Sequence, residues 1–148
     1  MEYKQFERDF IKRTLKIIEQ YNCVVEKGVL PENKFEVTLL INCLLGLLIL
    51  PNQLHNTLIK TISIEDFKEW GFQPEFIKNR GNRPEDMYIP HEIIRHMRNS
   101  VAHMKVRVCG DGIEIKTIEF KDRNGFRAVI PVTCLRTFIV KLAESLLI

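Results

Sequence analysis

The sequence predicts a mainly α protein: a bundle of about four to five helices with a small antiparallel β-meander at about 105–132, placed before the C-terminal helix. Three observations carry this. Apolar residues recur at spacings of three and four near the start of the chain, after Pro90 and after Thr133, as they do on one face of a helix. Between the last two, "KVRVCGDGIEIKTIEFKDRNGFRAVIPV" alternates apolar with polar side chains, the period of a strand. Two turn signals, Gly110-Asp111-Gly112 and Arg123-Asn124-Gly125, divide that segment into about three strands.

From Glu2 to about Lys27, Phe6, Phe10, Ile11, Leu15, Ile17, Ile18 and Tyr21 form an apolar stripe between charges; Gly28, with Pro31 beyond it, marks the stop. About Lys34 to Leu50 is apolar almost all round, which predicts a helix at the centre of the bundle, closed by Pro51. Thr38, Asn42 and Gly46 fall four apart within it. This small, polar stripe is expected to be packing that allows close helix contact, so that a buried Asn42 would need a hydrogen-bond partner. "SIEDFKEWGF" predicts a short helix with Ser63 as N-cap, Asp66 three residues on and a stop at Gly71. Residues 79–86, "NRGNRPED", read as a loop. Pro90 suits the first turn of a helix running to about Met104. The tail, Thr133 to Leu147, returns to helical spacing through Leu135, Phe138, Ile139, Leu142 and Leu146.

A chain of 148 residues fits one domain, 1–148, with a core that needs no disulfide or metal to hold it. Cys23, Cys43, Cys109 and Cys134 are widely separated and lack zinc-site spacing, which fits a reducing cytoplasm. The charged start "MEYKQFERDFIKR" is unlike a secretory signal, and the apolar run from Val37 to Leu50 falls short of the roughly 20 residues of a membrane span. The expectation is therefore a cytoplasmic protein with no membrane segment. A net charge of +3, with the basic excess mainly after Lys78, permits an acidic partner such as nucleic acid without demanding one.

Several chemistries lose support at once. "HEIIRH" looks like the zincin HExxH, but His91 and His96 are five apart, and five residues turn a helix through about 500°, so the imidazoles cannot share a face. No metal is expected. There is no GxSxG, and the seven glycines form neither a P-loop nor a dinucleotide fingerprint, so no nucleotide cofactor is expected either.

"RHMRNSVAHM" is the stretch that carries chemistry. Arg95, Asn99 and His103 are spaced four apart and form one helical ridge, which His96 joins from the same side. Arg98 lies about 100° round from Asn99, within reach of the turn of His103. Ser100, Val101 and Ala102 are small enough for a ligand or a second chain to approach. A histidine with an ordinary pKa near 6.5 can take the proton of a ribose 2′-hydroxyl or give one to a leaving 5′-oxygen. An arginine offers permanent charge to the phosphate, Asn99 can orient the imidazole or donate to phosphate, and Arg95 and His96 would extend a positive, hydrogen-bonding floor. An Arg followed five residues later by a His is common by chance, however. On spacing alone a structural or surface role outweighs catalysis. One helix also supplies one histidine at that turn, and a two-fold dimer packing the helix on itself would supply the second.

"RNSVAH", Arg98 to His103, resembles the Rx4-6H motif of the HEPN superfamily, and "YKQFERDFIKRT" with "FEVTLLINCLLGLLILP" resembles the opening of a plasmid- and defence-associated HEPN nuclease family. The resemblance implies a HEPN-like bundle and a metal-independent endoribonuclease whose two motifs meet across a homodimer. It makes Arg98 and His103 the catalytic pair, with Asn99 as polar support. It implies RNA as substrate, a toxin or phage-defence role and a possible cognate antitoxin. Members silenced by a nucleotidyltransferase carry a tyrosine two residues after the histidine, where this chain has Lys105. Arg80 and Arg83 in the loop, with Lys105 and Arg107 of the meander, are candidate RNA contacts. A non-catalytic HEPN-type module that binds nucleotide or protein is the alternative.

Overall fold

Helix ends and turns set the frame in which the Arg98–His103 segment sits. The computed structural model describes residues 5–28, 36–49, 59–81, 89–112 and 114–147. Five helices and four strands follow in the order α1 (Phe6–Glu26), α2 (Glu36–Ile49), α3 (Ile64–Glu69), β1 (Ile77–Arg80), α4 (Pro90–Ala102), β2 (Val106–Gly110), β3 (Ile115–Lys121), β4 (Phe126–Pro131) and α5 (Val132–Ser145). The predicted mainly α composition holds, as does the sheet before the last helix. Glu2 to Lys4, Lys34, Leu50 and Arg83 lie outside the described residues.

Ser63 caps α3 as predicted. Its hydroxyl accepts from the Asp66 N–H at 3.0 Å, and the Asp66 carboxylate accepts from the Ser63 N–H at 2.9 Å. Those two hydrogen bonds, the backbone one first, hold the Asp66 carboxyl below its ordinary value.

α2 packs against α1, α4 and α5 and buries Leu40, Cys43, Leu44 and Leu47. The expected envelopment is incomplete: Thr38, Asn42 and Leu45 face outward, so Asn42 is solvated and the stripe is not a packing face at those positions. Only Gly46 behaves as expected. A Cβ there would stand 2.6 Å from Cζ of Phe10, so the missing side chain is what lets α1 seat its ring on the α2 backbone. Arg136 of α5 pairs with Glu36 at the start of α2.

The three strands of the expected meander form, and β1 adds a fourth at the edge of the sheet, all antiparallel, in the order β1-β4-β3-β2. β1 takes Asn79 and Arg80 out of the expected loop. "IKNR" shows no alternation, and the strand exists because β4 offers it a backbone ladder; that is a tertiary cause invisible to local pattern. Ile118, Phe120, Phe126, Ala128 and Ile130 line the inner face under α4 and α5. Phe67, Trp70 and Phe72 close around Phe138 of α5, with the Phe67 and Phe138 rings edge-on at 5.2 Å. Among the described residues no helix is long and apolar enough to cross a membrane.

Candidate active site

Helix α4 is held by its apolar arc. Ile93, Ile94, Met97 and Val101 are buried at spacings of three and four, each contributing about 1.5 to 3 kcal/mol by leaving water. Pro90 occupies the first turn, as expected. The helix stops at Ala102 rather than Met104, which makes His103 its C-cap.

The stop is a complete Schellman turn. The Lys105 N–H donates to the Ser100 carbonyl at 2.7 Å and the Met104 N–H to the Val101 carbonyl at 3.1 Å. Met104 takes the left-handed conformation, φ 54°, which this motif usually gives to glycine; among the described residues it is the one non-glycine with positive φ. That conformation costs an L-residue about 1 kcal/mol or more. Met104 is 85% exposed, and the His103 side chain beside it is also open to solvent. The chain then enters β2 directly, and the Lys105 carbonyl accepts the Lys121 N–H at 3.1 Å.

The expected ridge separates into three environments. Arg95 donates through Nε to Glu92 at 2.8 Å, so its charge is already paired. Arg98 is half-buried on the penultimate turn, and His103 is exposed at the cap. His96 is 1% exposed and forms no part of an open positive floor. Its ring lies on that of Phe126, with centroids 4.4 Å apart and planes at 11°, and its Nδ1 stands 2.8 Å from Oδ2 of Asp122. A carboxylate partner requires the proton on Nδ1. Nε2 is buried without a hydrogen-bond partner.

Asn99 shares that anchor, donating from Nδ2 to the same Asp122 oxygen at 3.0 Å. Its amide therefore ties α4 to the β3–β4 turn, where the expectation had it orienting His103. Ser100 and Val101 are also buried, leaving Ala102 as the small residue open to an approaching molecule. His91 pairs with Glu92 at 3.5 Å on the outer side of α4 while His96 lies in the core, so the HExxH-like spelling assembles no site.

Asp122 is the residue that sequence reasoning missed. It opens the turn to β4, with the Gly125 N–H donating to its carbonyl at 3.2 Å, and its second carboxylate oxygen accepts the Arg123 N–H at 2.7 Å. Burial alone would raise its carboxyl pKa. The hydrogen bonds from His96, Asn99 and the Arg123 backbone outweigh that and hold it below the ordinary value. An Asp opening a turn that ends in Gly is so common that "KDRNG" carries no signal of this second role.

Of the candidate RNA contacts, Lys105 and Arg107 are exposed along the strand leaving His103. Arg80 is exposed too, but it pairs in register with inward-facing Phe126, whereas Arg107 pairs with outward-facing Glu119, so the two arginines occupy opposite faces of the sheet.

Neither a curated protein nor a solved structure matches the chain. Residues 1–147 match the family described as HEPN pEK499 p136. A match that runs through all but the last residue makes this protein a member of that family, and with it of the HEPN superfamily.

Proposed function

We propose that the chain is a metal-independent endoribonuclease, acting as a single HEPN-like domain that pairs into a homodimer, with Arg98 and His103 of each copy facing one composite site. Membership in a superfamily composed mostly of ribonucleases supports this reading. The observation that carries it is the placement of the motif: His103 is solvent-exposed at the cap of the helix, whereas His96 is locked in the core and His91 sits at the opposite end beside Glu92. In the reaction, the ribose 2′-oxygen attacks the adjacent phosphorus and the bond to the 5′-oxygen breaks. One His103 accepts the 2′-hydroxyl proton and its counterpart protonates the leaving oxygen, giving a 2′,3′-cyclic phosphate and a 5′-hydroxyl. Arg98 neutralises the charge that builds on the phosphate oxygens.

Asn99 and His96 serve as positioning residues through Asp122. A toxin or phage-defence role in the cytoplasm, restrained by an antitoxin, fits such an activity. The test is incubation of the purified protein in EDTA with total tRNA and with a plain single-stranded RNA, with the His103→Ala protein alongside. Cleavage that vanishes in the variant supports the assignment. Intact RNA in every lane favours a HEPN module that binds without cutting.

A further inference from the structure

The outer face of the sheet carries three cations and one carboxylate. By alternation, Arg107 on β2, Glu119 and Lys121 on β3 and Arg127 on β4 point away from the helices; Asn79, Cys109, Thr117, Val129 and Pro131 complete the face without charge. Glu119 is 6% exposed beneath this layer. Its Oε2 holds Arg127, with Nε at 2.7 Å, and its Oε1 holds the Lys121 Nζ at 3.3 Å, while Arg107 stands directly across in register. Both paired cations remain open on their outer sides, with side chains 53% exposed for Lys121 and 43% for Arg127. One buried carboxylate thus fixes two long side chains that would otherwise lose rotamer freedom on binding an anion. The face is continuous with the motif, because Lys105 joins the His103 turn to β2 and its carbonyl is bonded to the Lys121 N–H.

We propose that this face, Arg107, Lys121 and Arg127 over Glu119, is a phosphate-backbone platform that grips single-stranded RNA and leads it past Lys105 to His103. The occupant follows from charge: a net of plus two on one face, three cations less one carboxylate, suits a polyanion. The face offers no aromatic ring among the described residues, so it supplies no stacking and no base preference. The inference deepens the ribonuclease reading, since it names how that site would receive its substrate.

The test measures anisotropy of a labelled 2′-O-methyl single-stranded oligonucleotide, which lacks the attacking hydroxyl, across a salt series. Arg107→Gln with Lys121→Gln leaves Arg127 on Glu119 and so keeps the buried carboxylate paired. The expected result is a salt slope shallower by about 1.4, two contacts at about 0.7 each on single strands, with binding weakened about tenfold at low salt. Lys116→Gln with Lys141→Gln removes the same charge elsewhere and is expected to change neither; Arg107→Lys with Lys121→Arg is expected to retain binding. Oligo-U and oligo-A are expected to bind alike. An equal loss in both double variants, an unchanged slope in the first, or no binding by the wild-type protein overturns the platform. Binding with the altered slope but no cleavage of unmodified RNA would keep the platform and sink the ribonuclease reading; cleavage with an unaltered slope would do the reverse.

Discussion

The C-termini of α3 and α4 end in the same hydrogen-bonded turn with different residues at its left-handed position. After α3, the Phe72 N–H reaches the Phe67 carbonyl at 2.9 Å and Gly71 takes φ 90° without penalty. After α4, Met104 takes the same region and bears the cost. The α3 turn is specified by its own residues. The α4 turn is specified by what surrounds it: Lys105 leads straight into β2, and Asp122 grips His96 and Asn99 from the β3–β4 turn. This helix end, imposed from outside, lies next to the exposed histidine of the motif, and the strain at Met104 persists because the surrounding contacts determine the turn.

The largest expected effect tests the function of that end. His103→Ala and Arg98→Ala should each lower RNA cleavage by about 100-fold or more while leaving thermal unfolding close to wild type. Wild-type rates in either purified variant would remove the catalytic pair. Next, Asp122→Ala should cost about 2 to 3 kcal/mol in urea unfolding, because it leaves the buried Nδ1 of His96 and the half-buried Asn99 amide without this acceptor. A loss under about 0.5 kcal/mol would mean that the α4 turn is not held by this latch.

Smaller effects compare the two turns directly. Gly71→Ala should destabilise by about 1 kcal/mol through backbone strain alone, since the added Cβ would meet the Cys134 carbonyl at an ordinary 3.7 Å. Met104→Gly should act with the opposite sign and a smaller size, about 0.5 kcal/mol, because glycine's gain in the folded turn is offset by its freedom in the unfolded chain. Equal signs for the two would erase the distinction between local and imposed ends. Acid supplies the last probe. Asp122 and Glu119 both have carboxyl pKa values lowered by folding: burial raises each, and the hydrogen bonds and cations around them overcome it. Their stabilisation is therefore complete above the unfolded carboxylate range near 4 and is lost as pH falls through the lower folded values. Asp122→Asn should flatten that acid limb in a plot of urea midpoint against pH.

Most of the frame was legible because its causes are local. The Ser63–Asp66 box, Pro90, the alternation of the meander and the helical spacing of the tail each write their structure into adjacent residues. What escaped has distant causes. β1 needs β4, and the anchoring role of Asp122 needs α4. His96 was partly legible: it lies three after Ile93 and four before Ser100, both buried, but its polarity drew it toward the exposed ridge. The Arg98 and His103 pair was visible as a spelling, whereas the break of the helix at Ala102 depends on the strand that follows.

The pairing of β1 with β4 also orders events in time. β2–β3 and β3–β4 join neighbours along the chain, whereas Ile77 must find Ala128 with all of α4 lying between them. Closing that long loop carries an entropic cost that the two hairpins avoid, so β1 docks onto a meander already formed. The motif helix is then fastened inside a closed circuit of chain. For a newly made chain, that circuit around α4 closes only once the meander has formed and met β1.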